Sequence, residues 1–146
     1  REARDILAQI AVLCSFIKRR KHLALSHYRD HRVSAPELRG AFRESLQTLV
    51  LLGVAHSFYL EEGTGLEGAE ATALYDFFEG VIEGALPELS SVNVRISRVQ
   101  GPLRIAMTVE TPKDLSVLPQ DFPGAEVDWD GGEWNCLLTL GKGGKT

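Results

Sequence analysis

The sequence predicts an α+β fold, a two-layer α/β sandwich in which two helices cover one face of a single sheet of about five strands. Three observations lead to this fold class. Residues Ala71–Leu89 carry apolar side chains at three- and four-residue intervals, the period of a helix with one buried face. Two pairs of segments with alternating apolar and polar residues follow, and a turn joins each pair. A separate helical pattern, Ala3–Tyr28, forms an arm at the amino end.

Length and composition set the domain count and exclude some partners. At 146 residues and 44% hydrophobic content, the chain is large enough for one globular domain with a buried core. We divide it into a helical arm, residues 1–33, and a domain, residues 34–146. The formal net charge of −4 gives no general attraction to nucleic acid, so no nucleic-acid partner is predicted. No run of about 18 apolar residues occurs, so we expect a membrane to be reached only through a segment upstream of Arg1.

The arm has an apolar seam and a basic run. Ile6, Ile10, Leu13 and Ile17 step by four, three and four residues, the spacing of a two-helix interface. Packing on the domain and homodimerisation through this helix both satisfy that pattern. Lys18–Lys21, the string KRRK, is interpreted as a solvated helix face rather than a phosphate or lipid-headgroup patch.

The remaining elements follow in order along the chain. Ser34 and Glu37 have the spacing of a capping box, with Pro36 in the first turn of a helix that ends at Gly53. Segments Glu61–Gly68 and Thr111–Gly124 lack periodicity and are predicted to be loops. The predicted strands are Val54–Leu60, Val92–Val99, Leu103–Val109, Ala125–Trp129 and Trp134–Leu140.

Neither the cysteines nor the histidines indicate a metal site. Cys14 and Cys136 each lie in an apolar pattern, and we expect buried thiols in a reducing compartment. His27 and His31 are four residues apart with His22 nearby, but no carboxylate stands at a matching helical position. They are interpreted as surface histidines, and no metal site and no catalytic residue are assigned.

A strip of small residues runs beside the apolar face of the central helix. Ala73, Gly80 and Gly84 line up there, and each glycine costs roughly 1 kcal/mol of helix stability relative to alanine. We therefore expect a neighbouring segment or a ligand to take the room. Glu79 and Glu83, one turn apart, could act as acid, base or Mg²⁺ ligands, although such pairs on a helix surface are most often solvated.

Several strings resemble the ATP-binding domain of sensor histidine kinases, of the GHKL superfamily, over residues Leu38–Leu140. In that family a helix carries the motif N-L-L-x-N-A-I, whose asparagines hold Mg²⁺ and phosphates, and Gly80–Leu86 follows its apolar frame. The hairpin Val92–Val109 resembles the two strands after that motif, and Gly124–Leu140 resembles the closing hairpin. The string KRRKHLAL, Lys18–Leu25, is similar to one seen in some bacterial members.

The nucleotide motifs of the family are changed in this chain. Gly80 and Gly84 occupy both asparagine positions, so a neighbouring glutamate would have to substitute. Where the family has D-x-G-x-G, this chain has Glu110–Asp114, and Leu115–Pro123 is too short and too poor in glycine to form an ATP lid. The resemblance implies ATP and Mg²⁺ as cofactors, bound weakly or not at all by this fragment. The nucleotide-site residues that it implies are Glu79, Gly80, Glu83, Gly84 and Glu110.

The resemblance implies the cytoplasmic part of a membrane-anchored bacterial sensor histidine kinase, with a response regulator as partner in two-component signal transduction. Two functions stay open: ATP-dependent histidine phosphorylation at a divergent site, and a non-catalytic signalling or protein-interaction module on the same scaffold. A phosphoacceptor in this family stands before Asp or Glu, and none of His22, His27, His31 and His56 does so. We therefore expect the accepting histidine to lie upstream of Arg1.

Overall fold

The fold is given by a computed structural model, which describes residues 2–30, 32–61, 66–86, 88–98 and 101–140. The helices are α1 (Glu2–Asp30), α2 (Ala35–Thr48, continued by a 3-10 turn at Leu49–Leu52), α3 (Gly68–Ala85) and α4 (Leu118–Asp121). The strands are β1 (Arg32–Val33), β2 (Ala55–Leu60), β3 (Leu66–Glu67), β4 (Ser91–Arg98), β5 (Leu103–Glu110), β6 (Glu126–Asp130) and β7 (Glu133–Leu140).

A five-stranded sheet forms one layer of the domain, and its strand order is β2-β4-β5-β7-β6. Both predicted hairpins are present, since β4 pairs with β5 and β6 pairs with β7 in antiparallel register. Strand β2 pairs with β4 in parallel, because α3 returns the chain across the sheet between them. The α+β fold class is therefore confirmed, and the sheet is mixed.

The core lies between the sheet and helices α2 and α3. An aromatic cluster joins the two layers: Phe42 of α2 lies 5.4 Å, between ring centroids, from Phe58 of β2 and 4.8 Å from Phe78 of α3. Tyr75 completes the cluster, and its hydroxyl hydrogen-bonds to the buried Ser45 hydroxyl. Burying each such side chain contributes roughly 1.5–3 kcal/mol. The sheet adds the inward-facing residues Val92, Val94, Ile96, Leu103, Ile105, Met107 and Val109, all buried as their alternation predicts.

Three short elements were not predicted: β3 and α4 lie inside predicted loops, and β1 lies at the end of the predicted arm. Strands β1 and β3 form a separate two-stranded antiparallel sheet, which pairs Val33 with Leu66. Both side chains are buried, but two-residue strands have no periodicity by which a sequence could reveal them. Helix α4 lies in the predicted loop Thr111–Gly124. Pro87, within the predicted helix Ala71–Leu89, and residues 99–100, at the predicted end of the strand Val92–Val99, lie outside the described residues.

The arm packs on the domain through a face other than the predicted seam. Val12 of α1 is fully buried in the core, whereas Ile6, Ile10 and Ile17 are 55%, 50% and 52% exposed, and Leu13 is half-buried. The seam as an intramolecular contact is therefore wrong, because α1 is rotated to bury Val12 instead. None of the helices within the described residues is both long and apolar enough to cross a lipid bilayer.

The two cysteines differ in environment. Cys136 is buried in the core, as expected, and burial raises the pKa of its thiol to about 12. Cys14 is exposed, so the expectation of a buried thiol there is wrong. It lies four residues after Ile10 and three before Ile17, which places it on the same outward face of α1.

Candidate functional site

A cleft of about 440 Å³ opens between the carboxyl-terminal half of α3 and the segment that follows β5. This segment, residues 111–125, contains α4 and is called the closing segment below. The cleft residues are Gly80, Glu83 and Gly84 from α3 and Asp114, Leu115, Val117, Leu118, Asp121 and Phe122 from the closing segment.

The two glycines of α3 let the closing segment approach the helix. A Cβ atom on Gly80 would lie 2.5 Å from the ring of Phe122, and one on Gly84 would lie 3.2 Å from a methyl group of Leu115. The Phe122 ring also packs edge-on against Phe77, with 5.4 Å between centroids. Of the two predicted alternatives, a neighbouring segment or a ligand, the structure shows a neighbouring segment beside Gly80 and Gly84.

Hydrogen bonds attach the closing segment to the end of α3. The buried Thr111 hydroxyl donates to the carbonyl oxygen of Ala85 at 3.0 Å and accepts from the Lys113 N–H at 3.2 Å. The Ala85 carbonyl belongs to the last turn of the helix, where intrahelical donors are missing. Asp114 accepts from the Ser116 N–H at 2.9 Å, and this hydrogen bond holds the pKa of the Asp114 carboxyl below its usual value. The segment therefore starts from a fixed position on α3.

The charge of the cleft does not suit a nucleoside triphosphate. Its ionisable residues are Glu83, Asp114 and Asp121, all exposed, and none of its residues is Lys, Arg or His. Phosphates bind where N–H donors and cations converge, and carboxylates repel them. Among the residues that the structure describes, no group of His, Cys, Asp or Glu side chains is placed to hold a metal ion. The cleft residues therefore do not fit ATP and Mg²⁺.

Glu79, one of the five implied site residues, faces the arm instead of the cleft. It is 4% exposed, and it accepts a hydrogen bond of 2.6 Å from the Arg20 guanidinium of α1. The same Arg20 nitrogen lies 3.5 Å from Oδ1 of Asp76. Burial raises the pKa of Glu79, the Arg20 charge opposes that rise, and the nearby Glu83 and Asp76 carboxylates add to it.

Glu110 also lies away from the cleft. Its carboxylate accepts from the Ser91 hydroxyl at 2.9 Å and from the Ser90 hydroxyl at 3.4 Å, at the exposed end of β5. The structure thus brings Gly80, Glu83 and Gly84 together at the cleft. Glu79 and Glu110 point away from it. Nucleotide binding by any of the five residues stays a prediction.

The ion pairs of the arm were missed by the sequence interpretation. Arg19 lies 3.0 Å from Glu44 of α2, and Arg20 bridges to α3, so only Lys18 and Lys21 of the basic run form a solvated face. A run of four cations gives no signal of which ones turn inward, because that depends on the orientation of the packed helix. The side chains of the three arm histidines lie outside the described residues.

No protein-family model matches this sequence, and no curated protein matches it. Several solved structures do match its fold. The histidine kinase domain of the Erythrobacter litoralis EL346 blue-light activated kinase is similar with a TM-score of 0.59 and 12% identity, over 86% of this chain and 74% of that one. A bacterial phosphotransferase gives a TM-score of 0.55 and 11% identity, over 91% and 78% of the two chains.

A third similar structure is the histidine kinase ThkA in complex with the response regulator protein TrrA. Its TM-score is 0.54 and its identity 11%, over 94% of this chain and 49% of that one. Identities this low establish shared architecture only. This chain therefore has the fold of histidine kinase catalytic domains. It has a mixed five-stranded sheet, α3 connects the two parallel strands, and the cleft lies beside α3.

Proposed function

We propose that this chain is a kinase-like domain of two-component signal transduction that does not use ATP and acts as a non-catalytic signalling module. The fold supports the two-component assignment. The observation that carries the non-catalytic assignment is the contact of Phe122 with Gly80 inside the cleft. The aromatic ring takes up space at the helix position where, by the resemblance, an asparagine would hold Mg²⁺ and phosphate.

The charge pattern supports the same conclusion. A triphosphate entering this cleft would meet three carboxylates and would have to displace the Phe122 ring from its contact with Phe77. The burial of an aromatic side chain contributes roughly 1.5–3 kcal/mol, and no cation in the cleft would offset its loss. ATP-dependent phosphorylation is therefore the less supported of the two functions.

The partners we propose are a response regulator and a second copy of the chain. A response regulator is bound by the similar kinase ThkA in its solved complex. The outward face of α1 carries Leu7, Ile10, Cys14 and Ile17 at alternating three- and four-residue intervals, the pattern of a two-stranded helical interface. We place the domain on the cytoplasmic side of a longer, membrane-anchored bacterial sensor.

Calorimetric titration of the purified domain with ATP and Mg²⁺ tests the proposed function. We expect no saturable heat at millimolar nucleotide. Phe122→Ala, which removes the ring from the cleft, should gain no more than weak binding because the carboxylates remain, and Val117→Ala is the matched control in the same segment. Saturable micromolar binding by the unaltered domain would overturn the proposal. Acid-labile label retained after incubation with labelled ATP would overturn it equally.

A further inference from the structure

Strand β2 is an edge of the five-stranded sheet, and one side of its backbone is open. It pairs with β4 alone among the described strands. The amides of Ala55 and Glu61 donate to carbonyl oxygens on the β4 side, at 3.1 and 2.9 Å. Since successive residues of a strand direct their backbone groups to opposite sides, the N–H and C=O groups of His56 and Phe58 point to the open side.

The two edges of the sheet are protected to different degrees. The opposite edge strand, β6, carries Glu126, Asp128 and Asp130, and such charges prevent other chains from pairing with an edge. Strand β2 has the sequence AHSFYL, with no Lys, Asp, Glu or Pro. Of the two edge strands of this sheet, only β2 lacks the charged residues and prolines that oppose strand addition.

A groove accompanies the open edge of β2. It is a cavity of about 230 Å³ whose residues come only from α2 and β2, so it lies at the border of the sheet. Phe58, which is partly exposed and stacks on Phe42, gives it an apolar floor above the buried Leu46. An edge strand beside a helix is the arrangement in which an extended peptide gains backbone hydrogen bonds and a pocket for its side chains. The groove residues are Arg43, Leu46, Gln47, His56, Ser57 and Phe58.

The charge of the groove indicates its occupant. Arg43 is exposed and forms no ion pair with the described residues. His56 is the other ionisable group of the groove. Strand β2 contains no Asp or Glu, so the same strand of a second copy, paired edge to edge, would bring no acidic side chain of its own to Arg43. A different chain with an acidic residue gives the complementary charge.

We propose that β2 and α2 bind an extended, acidic segment of a partner protein, which adds to the sheet as a sixth strand. An acidic residue of the segment lies beside Arg43, and an apolar residue two positions away packs on Phe58, since residues two apart share one face of a strand. This site is separate from the cleft beside α3, and it does not depend on whether nucleotide binds there.

The test uses a displayed library of random peptides about eight residues long, the upper range of common strand lengths. Peptides selected on the folded domain should share an acidic residue two positions from an apolar one. The tightest is then synthesised with a fluorescent label, and its Kd is measured by polarisation. Arg43→Glu should weaken binding of this peptide at least about tenfold, because one charge-assisted hydrogen bond is lost. Arg104→Glu, the same charge change at an exposed position of β5, should have no effect.

Two further comparisons show whether the backbone of β2 is used. His56→Pro removes an N–H on the open side and should abolish binding, whereas His56→Ala keeps that N–H and should not. If the proline variant fails to fold, two versions of the peptide provide the same comparison, each N-methylated on every second backbone amide in one of the two possible registers. Only the version whose unmethylated amides face β2 should bind. The absence of any selected peptide, or binding indifferent to both comparisons, would overturn the proposal. A dimer of the domain that is lost in His56→Pro would also overturn it, in favour of a second copy.

Discussion

The hydrogen bond between Arg20 and Glu79 joins the arm to the domain, and its removal should have a large and pH-dependent effect. Arg20→Met keeps the length and the helix propensity of the side chain but removes its charge. Glu79 would then remain on α3 with its side chain 5% exposed and without the donor that lies at 2.6 Å. We expect the variant to fold, and to be less stable at neutral pH.

The size of the loss follows from the exposure of the two partners. Leaving a buried charge without its partner costs about 3–5 kcal/mol, whereas a solvent-exposed pair contributes about 0.2–1 kcal/mol. Glu79 is buried but the Arg20 side chain is 46% exposed, so the pair lies between these cases. We expect a loss of about 2 kcal/mol, which for a domain of roughly this size lowers Tm by about 4–8 °C.

The direction of the pH dependence follows from the pKa of Glu79. Burial raises this pKa above its ordinary value of 4.5, so the folded state binds the Glu79 proton more tightly than the unfolded state. The contribution of this group to stability is therefore greatest at low pH and falls as pH rises through the folded pKa. Without Arg20 the pKa of Glu79 rises further. The loss caused by Arg20→Met should thus be largest near neutrality and should shrink as pH falls toward 4.5.

Thermal denaturation at several pH values measures this loss, with Lys18→Met, an exposed position of the same helix, as the control. A double-mutant cycle adds Glu79→Gln, which removes the buried charge and should recover part of the stability that Arg20→Met loses. A coupling energy below about 0.5 kcal/mol would refute the reasoning. A loss that is the same at every pH would also refute it, since lost packing alone does not titrate.

Three other predictions concern helix faces. Gly84→Leu should lower Tm, because its Cβ would lie 3.2 Å from a methyl group of the buried Leu115 and overpacking costs about 1–3 kcal/mol; a higher Tm would show the strip to be idle. Ile10→Asp should abolish dimers in sedimentation without changing monomer stability, since Ile10 is 50% exposed, and unchanged dimers would argue against the seam. At a concentration where the domain is monomeric, a thiol reagent should modify Cys14 alone, and Cys136 should react only after unfolding. Mass spectrometry of the treated native protein measures this, and modified Cys136 would contradict the prediction.

Strands with alternating apolar residues could be predicted from the sequence nearly to the residue, whereas the central helix, predicted at Ala71–Leu89, runs from Gly68 to Ala85. The strand predicted at Leu103–Val109 is Leu103–Glu110 in the structure, because every second residue there meets the core and alternation is a local property. The parallel pairing of β2 with β4 could not be predicted in this way. Its register joins Ala55 to Ser91, with α3 between them, and no local signal specifies such a distant partner.

The candidate site shows the same division between local and distant information. Two interior glycines are costly enough in a helix to predict a close approach, and the structure confirms it at Gly80 and Gly84. The identity of the approaching side chain could not be predicted, because Phe122 lies in a segment without periodicity, far along the chain. The hydrogen bond from Thr111 to Ala85, which positions that segment, likewise has no sequence signature.

Two adjacent residues of α3 meet different parts of the fold. Glu79 and Gly80 are adjacent in the sequence, and the resemblance assigned both to one nucleotide site. Successive residues of a helix differ by about 100° in direction, so a helix packed on two sides presents them to different neighbours. Glu79 meets Arg20 of the arm and Gly80 meets Phe122 of the closing segment. The arm therefore holds the Glu79 carboxylate while Gly80 borders the cleft, so adjacent letters of the motif have separate surroundings in the fold, and nucleotide binding by either residue stays a prediction.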